Sequence, residues 1–133
     1  MDEAVRRALA VGRSATGRER TIDITTIGAR TGRPRRIETW FYRIDDRLYL
    51  TGQPGKRGWY ANLLANPAFT FHLKHGVTAD LPARATPVIA EPERSRILTE
   101  VLASQPEDRA HIADPAEVER WAAGSPLVEV ILD

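Results

Sequence analysis

The sequence predicts a mainly β protein of the α+β class, in which a small barrel of short strands carries an N-terminal helix and a few peripheral helices. About six segments show a strand pattern, with apolar and polar residues alternating or a short apolar run between turn residues. Segments with helical spacing are fewer and short. Because closing a sheet removes its exposed edges, such a set of strands favours a barrel. The 133 residues contain no repeat, linker or low-complexity tract and are expected to form a single domain, 1–133.

The N-terminal part is predicted to fold as a helix followed by three strands. Residues 2–12 have apolar side chains at helical spacing, and residues 13–20 are interpreted as a polar connection. Asp45 and Asp46 form a tight turn between the second and third strands, which is typical of a hairpin. The predicted strands are Thr21–Ile27, Arg36–Ile44 and Arg47–Thr51.

The middle of the chain is predicted to contain one helix and a second hairpin. The helix covers residues 56–66, and two runs of alternating apolar and polar residues, 69–73 and 77–85, follow it. Pro82 and Pro87 lack the amide hydrogen that a central strand donates to its neighbours. The later strand of this hairpin is therefore predicted to lie at a sheet edge or to contain a bulge.

The C-terminal part is predicted to hold two helices and a strand. The first helix covers about residues 91–104. Asp114 is a plausible N-cap and Pro115 suits the first helical position, so a second helix is predicted through Trp121. The apolar stretch 126–132 is predicted to be the last strand.

Charge and composition narrow the possible classes of function. Residues 1–60 carry 13 basic and 7 acidic side chains, whereas residues 61–133 carry 6 basic and 11 acidic ones. This uneven charge fits a small polyanionic ligand better than a long nucleic acid. The absence of cysteine excludes disulfides, zinc–cysteine sites and thiol catalysis. No apolar run approaches the about 18 residues that cross a membrane, and no secretory segment is recognised, so a cytoplasmic location is expected.

The loop GARTGRPRR, residues 28–36, is the most informative stretch because it places two glycines and four arginines between two predicted strands. Gly28 and Gly32 allow backbone conformations closed to other residues. Guanidinium groups suit phosphate and carboxylate oxygens, so the loop is interpreted as an anion-binding site, with a solvated surface turn as the alternative. The loop matches neither G-x-x-x-x-G-K-[ST] nor G-x-G-x-x-G, which argues against nucleotide triphosphate hydrolysis.

Two separate motifs resemble one protein family. TTIGARTGRPRR, a strand and then GWYANLLANP are similar to the deazaflavin (F-420)-dependent nitroreductases, also called F-420-dependent quinone reductases. The family pattern is TT-x-G-[RK]-x-[ST]-G-x-P-R, a strand, a short loop and W-[YV]-x-N-L-x-A-N-P. The likeness covers about residues 21–75, and the closing SPLVEV is also similar. The resemblance implies a split β-barrel related to the FMN-binding split barrels, and the deazaflavin coenzyme F-420 as cofactor.

The resemblance also implies which residues bind this cofactor. The coenzyme carries a phosphate and an oligoglutamate tail, and Arg30, Thr31 and Arg35 match the positions that hold these anionic groups. Arg33 occupies a variable motif position and could assist with the glutamates, whereas Arg36 is expected to point to the opposite side of its strand. The arginines support this interpretation independently, because their charge suits such a tail.

Other residues match the family's contacts to the deazaflavin ring. Glu38 has an alternative interpretation as a strand carboxylate paired with a neighbouring arginine, and Trp59 has one as a core residue of its helix. Asn62 is expected to cap or bridge backbone groups. The implied ring contacts are Glu38, Thr39, Trp40, Gly52, Gln53, Pro54 and Trp59.

The predicted function is an oxidoreductase that binds the reduced deazaflavin coenzyme and transfers its hydride to a quinone, an enone or a nitro compound. In this class the coenzyme performs the difficult chemistry, and no catalytic residue is assigned to the chain. Relatives use tyrosines late in the chain near the acceptor pocket, whereas Tyr60 is the last tyrosine here, so the acceptor pocket is expected to differ. His72 and His75 are expected to face different directions, and no metal site is predicted.

Three alternatives stay open at this point. The same fold could bind FMN, whose single phosphate needs fewer arginines, or the chain could be a non-catalytic carrier of deazaflavin or another anionic ligand. RNA binding through the basic loop would show a steep salt dependence.

The N-terminal helix is too weakly apolar for a firm membrane anchor and is expected to pack across the barrel end. The expected partners are therefore a small-molecule cofactor and an acceptor, with a homodimer as a further possibility.

Overall fold

The computed structural model describes residues 1–104 and 114–133, and within these ranges it contains five helices and six strands. The helices surround a barrel whose strands are all antiparallel to their neighbours. The helices are α1 (Glu3–Leu9), α2 (Gly17–Arg20), α3 (Gly58–Ala65), α4 (Glu93–Ala103) and α5 (Pro115–Gly124). The strands are β1 (Thr21–Ile27), β2 (Pro34–Ile44), β3 (Arg47–Thr51), β4 (Ala68–Leu73), β5 (Ala79–Pro87) and β6 (Leu127–Leu132).

The strands close into a barrel in the order β1-β2-β3-β6-β5-β4, and β4 pairs with β1 to complete it. The fold predicted from the alternating segments is confirmed, including the hairpin turn at Asp45 and Asp46, whose φ angles of 52° and 63° suit such a turn. A closed barrel leaves each strand with two neighbours, so backbone groups of these short strands are paired on both sides.

The prolines of β5 do not mark a sheet edge, and this prediction was wrong. β5 pairs with β4 through residues 79–84 and with β6 through residues 83–87, in continuous registers. The carbonyl of Pro82 accepts a hydrogen bond from the amide of Asp133, which lies just beyond the end of β6. The missing amide hydrogen of Pro82 therefore removes only the last hydrogen bond between β5 and β6. Pro87 is the last residue of β5, beyond the part that pairs with β4.

The N-terminal helix is shorter than predicted, and the connection after it contains a second helix. Asp2 caps α1, which ends at Leu9. Within the predicted connection, Thr16 and Glu19 form a capping box, in which the Thr16 hydroxyl accepts from the Glu19 amide and the Glu19 carboxylate accepts from the Thr16 amide. The reciprocal bonds stabilise a helix of one turn, which is too short for apolar periodicity to indicate.

Helix α4 lies where it was predicted, and α5 begins with the predicted cap. Asp114 accepts hydrogen bonds from the amides of Ala116 and Glu117, as an N-cap does. The helix that follows continues beyond Trp121 to Gly124. Strand β2 begins at Pro34, two residues earlier than predicted.

The barrel separates two groups of buried side chains. The inner face of the barrel, closed at one end by α1 and at the other by α3, includes Ile24, Phe41 and Phe71. On the outside, α4 and α5 pack with Tyr42 and other residues of β2, β3 and β6. Across the residues that are described, no helix is long and apolar enough to cross a bilayer.

Candidate functional site

A cavity of about 520 Å³ opens at the end of the barrel that α3 covers. Its wall combines the loop between β1 and β2, the adjoining ends of these two strands, and the first turns of α3. Positive side chains and an aromatic ring therefore face the same space. The lining residues are Thr26, Gly28, Ala29, Arg30, Thr31, Arg35, Ile37, Gly58, Trp59, Ala61 and Asn62.

The loop between β1 and β2 is a tight turn held by its own hydrogen bonds. The Gly28 amide donates to the Arg33 carbonyl at 2.8 Å, and the Gly32 amide donates to the Gly28 carbonyl at 2.9 Å. Gly32 has a φ of 68°, which favours glycine. The Thr31 hydroxyl accepts from the Arg33 amide at 3.2 Å, so this side chain holds the loop as well as lining the cavity.

The four arginines of the loop differ in position and in hydrogen-bonding partners. Arg30 and Arg35 line the cavity, whereas Arg33 is exposed outside the cavity wall. The guanidinium groups of these three residues bond to no other residue that the structure describes. Arg36 differs, because its Nε lies 2.9 Å from Asp23 Oδ2 on the outer face of the barrel. It was expected to point to the opposite side of its strand, and it does. Unpaired guanidiniums at a cavity are suited to anionic groups of a ligand.

Asn62 joins helix α3 to the arginine loop. Its Oδ1 accepts from the Ala29 amide at 2.9 Å, and its Nδ2 donates to Thr26 Oγ1 at 3.0 Å. The expectation that Asn62 bridges backbone groups is confirmed on the Ala29 side. Both sides of the cavity are thus tied together by one side chain.

Trp59 lies between the barrel core and the cavity. It is 9% exposed and belongs to the barrel core, and it also lines the cavity. Its ring contacts that of Tyr60 edge to face, with centroids 6.1 Å apart. The helix that carries both aromatic residues begins at Gly58, directly on the cavity wall.

Strand β2 divides the residues expected along the ring between its two faces. Arg35 pairs with Thr26 and Thr39 pairs with Ile22, so both lie on the inner face with Ile37. Glu38 lies on the outer face and forms an ion pair with Lys74, so its partner is a lysine and not the arginine considered from the sequence. A one-residue step along a strand turns the side chain to the other face, which explains the separation.

Trp40 lies on the outer face too. It packs against the buried cluster that the outer face of the sheet forms with α4 and α5, and a Cβ on Gly17 would lie 2.8 Å from its ring. Gly17 belongs to the short helix α2, which the sequence pattern did not indicate. Trp40 is therefore separated from the cavity by the sheet itself.

The loop of Gly52, Gln53 and Pro54 lies outside the cavity wall that the described residues form. The Arg57 guanidinium donates to the Gln53 carbonyl at 2.9 Å, and the Gly55 amide donates to the Gly124 carbonyl at 3.1 Å. These bonds tie the loop to α3 and to the end of α5. His111, one of two residues between 104 and 121 with a large, polar-edged ring, lies outside the described residues.

A network of charges covers the outer face behind the site. Asp23 accepts from Lys74 at 2.7 Å and from Arg36 at 2.9 Å. Burial raises the pKa of Asp23, but the hydrogen bonds from Lys74 and Arg36 outweigh this and hold its pKa below the ordinary value of 3.8. Hydrogen bonds to Asp23 and then to Glu38 raise the pKa of Lys74. These groups are ion-paired with one another and are not free to bind a ligand.

Thr26 was missed as a candidate residue. It is 1% exposed and lies on the inner face of β1, in line with Ile22 and Ile24. The two-residue alternation of β1 was the available signal, because a polar residue at an inward position needs a hydrogen-bonding partner or a ligand.

The comparison with known proteins gives one family. The sequence profile of the family described as F420H(2)-dependent quinone reductase matches residues 1–118. The sequence matches no curated protein.

Solved structures with the same fold have low sequence identity. A conserved hypothetical protein, Rv2991 from Mycobacterium tuberculosis, is 21% identical with a TM-score of 0.64, over 99% of this chain and 81% of that one. The F420-H2 dependent reductase FDR-A is 19% identical with a TM-score of 0.56, over 84% of this chain and 93% of that one. An FAD-binding protein from Mesorhizobium loti is 15% identical with a TM-score of 0.60, over 98% of this chain and 88% of that one. At these identities the structures establish the split-barrel fold alone, whereas the profile covers most of the chain. The chain therefore belongs to the F420H2-dependent quinone reductase family, and it is an oxidoreductase that depends on the deazaflavin coenzyme F-420.

Proposed function

We propose that the cavity beside α3 binds the reduced deazaflavin coenzyme and that the enzyme reduces a small organic acceptor, a quinone, an enone or a nitro compound. The observation that carries the proposal is the placement of Arg30 and Arg35 on the wall of a cavity of about 520 Å³ without an acidic partner among the described residues. A bound phosphate or carboxylate would accept hydrogen bonds from these guanidiniums. A solvated surface turn, the alternative interpretation, does not explain why they line a cavity.

The residues present fit the anionic part of the coenzyme. Arg30, Thr31 and Arg35 would hold the phosphate and the first glutamate, and Arg33, exposed on the same loop, would reach the following glutamates. Trp59 and Ile37 provide an apolar wall on which a ring can lie. A charge-assisted hydrogen bond shielded from water contributes about 1.5–3 kcal/mol, so two arginines are enough for micromolar binding together with apolar contact.

The ring is proposed to extend from this wall towards the inner face of β2 and the loop after β3. Thr39 lies on that inner face, and Gly52, Gln53 and Pro54 form a loop fixed by Arg57. Glu38 and Trp40 would support the site from the outer face by holding β2 in place. When bound, the coenzyme supplies the hydride, and the protein orients it and excludes water.

The test is a titration with oxidised coenzyme F-420, run in parallel with FMN. Wild-type protein is compared with the double variant Arg30→Ala/Arg35→Ala. The matched control is Arg36→Ala/Arg84→Ala, which removes the same charge from the outer face of the barrel and from exposed Arg84. We expect micromolar binding of the coenzyme that the first double variant loses and the control keeps.

The outcomes separate the alternatives. If both double variants lost coenzyme affinity equally, the loss would be an effect of net charge, and the proposal that the cavity binds the coenzyme would be wrong. Binding of FMN in place of the deazaflavin would keep the fold and change the cofactor. Coenzyme binding without oxidation of the reduced form by a quinone, an enone or a nitroaromatic compound would favour a carrier.

A further inference from the structure

The side-chain amide of Asn62 has only one possible orientation. The Ala29 amide lies 2.9 Å from one end of it, and because a backbone N–H can only donate, that end must be the oxygen. The nitrogen therefore faces Thr26 and donates to its Oγ1 at 3.0 Å. The direction of this second hydrogen bond follows from the first.

This direction leaves the Thr26 hydroxyl with a proton to donate. A hydroxyl has one donor hydrogen, and the bond from Asn62 occupies only an acceptor position. Among residues 1–104 and 114–133, no atom accepts that hydrogen from Thr26. Thr26 is 1% exposed and lines the cavity, so an acceptor for this hydrogen must come from the cavity side. A buried donor without an acceptor is costly unless a ligand takes the hydrogen bond.

The position of Thr26 indicates the kind of atom that takes it. Thr26 is paired directly with Arg35 across β1 and β2, and both face the cavity. Arg30 lies on the same wall. An acceptor that reaches the Thr26 hydroxyl is therefore next to guanidinium groups, which favours an anionic oxygen over a neutral carbonyl.

We propose that Thr26 is a ligand-binding residue that donates a hydrogen bond to an anionic oxygen of the phosphate class, and that Asn62 is a positioning residue that orients the Thr26 hydroxyl. The inference deepens the proposed function and rests on it for the identity of the ligand. It assigns a donor that lies deeper than the arginines and selects for an acceptor at one place in the cavity.

The first experiment measures binding of oxidised coenzyme F-420 and of phenyl phosphate to Thr26→Val, Thr26→Ser and Thr86→Val. Valine keeps the shape and removes the hydroxyl, serine restores it, and Thr86 is an exposed strand residue that serves as the control. We expect Thr26→Val to weaken coenzyme binding by about ten- to a hundred-fold, the range for a hydrogen bond to a charged group. Thr26→Ser and Thr86→Val should stay within about threefold of wild type. Equal affinity of Thr26→Val and Thr86→Val would overturn the inference.

A second experiment tests the role of Asn62 by combining Asn62→Asp with Thr26→Val. In Asn62→Asp the new carboxylate can still accept from Ala29, but it must also accept from Thr26, which draws the hydroxyl proton away from the cavity. Adding Thr26→Val to Asn62→Asp should then change affinity by less than about threefold. Asn66→Asp, one turn further along at the helix end, controls for the added charge. An undiminished effect of Thr26→Val in the Asn62→Asp background would exclude the positioning role.

The two probes separate this inference from the proposed function. If wild type and Thr26→Val bind the coenzyme equally well, the proposed function stands and the inference about Thr26 is overturned. Phenyl phosphate binding that depends on Thr26, without coenzyme binding, supports the inference and overturns the function. Binding of neither probe overturns both.

Discussion

A Cβ atom on Gly28 would lie 2.4 Å from the hydroxyl oxygen of Thr31, which is closer than any side chain tolerates. The Thr31 hydroxyl also accepts the Arg33 amide across the loop. Gly28 is therefore required where the turn folds Thr31 back over β1. The shape of the loop between β1 and β2 therefore depends on the absence of a side chain at Gly28.

Gly28→Ala is expected to weaken coenzyme binding at least tenfold, because Thr31 must rotate away and release the Arg33 amide. The lost hydrogen bond costs about 1 kcal/mol of stability. Coenzyme titration and thermal unfolding measure the two effects. Gly12→Ala, where a Cβ would meet nothing within 4 Å, is the matched control. Equal binding by the two variants would mean that the loop tolerates the side chain and that its shape does not determine affinity.

Gly17→Ala is expected to destabilise the fold and to leave coenzyme affinity unchanged. The new Cβ would lie 2.8 Å from the Trp40 ring, and moving a packed ring costs about 1–3 kcal/mol. Because Trp40 lies on the outer face of β2, the cavity should not respond. Chemical denaturation and coenzyme titration test both parts. A selective loss of binding without loss of stability would place Trp40 at the cofactor.

Arg94→Met is expected to reduce the free energy of unfolding by about 3 kcal/mol or more, since it leaves buried carbonyl groups without donors. Arg94 is buried, and its guanidinium donates to the carbonyls of Ala122, Val88 and Ser125. It thereby ties α4 to the end of α5 and to the segment after β5.

The control for Arg94 lies two residues further along α4. Arg96 is exposed and pairs with Asp45 and Glu93, and such surface pairs contribute about 0–1 kcal/mol. Urea denaturation should show a much larger loss for Arg94→Met than for Arg96→Met. Similar losses would show that the carbonyl contacts of Arg94 contribute little.

Stability is expected to fall at both extremes of pH because of Asp23 and Lys74. The lowered pKa of Asp23 gives stability that is present above pH 3.8 and is lost as the pH falls through the lower folded-state pKa. The raised pKa of Lys74 gives stability that is present below pH 10.5 and is lost as the pH rises through the higher folded-state pKa. Asp23→Asn should reduce both dependences, because it removes one titrating group and a partner of the other.

Thermal unfolding at a series of pH values measures this effect. Asp80→Asn is a suitable control, since Asp80 is an exposed carboxylate on β5, which is separated from β1 by β4, and it pairs with His72. If Asp23→Asn and Asp80→Asn follow the same curve as wild type, the network around Asp23 is not linked to folding.

The sequence determined the strands and pointed to the loop that lines the cavity. Alternation, short apolar runs and turn residues are local properties, so together they identified all six strands among the described residues, and the two motifs identified the family. Arg30, Thr31, Arg35 and Trp59 were predicted at the cofactor and all line the cavity. This part of the cavity was recognisable because the loop carries a motif that resembles the family pattern.

Only the tertiary structure decided which face of each strand meets the cavity. Alternation separates Thr39 from Glu38 and Trp40, but the pairing of β2 with β1 decides which of them faces inward. Likewise, Pro82 fits a strand with two neighbours only because β6 ends beside it. Thr26 became a candidate only when Asn62, 36 residues away in sequence, was found to fix the direction of its hydrogen bond. Side-chain environment depends on residues distant in the chain, and a pattern of neighbouring residues does not contain that information.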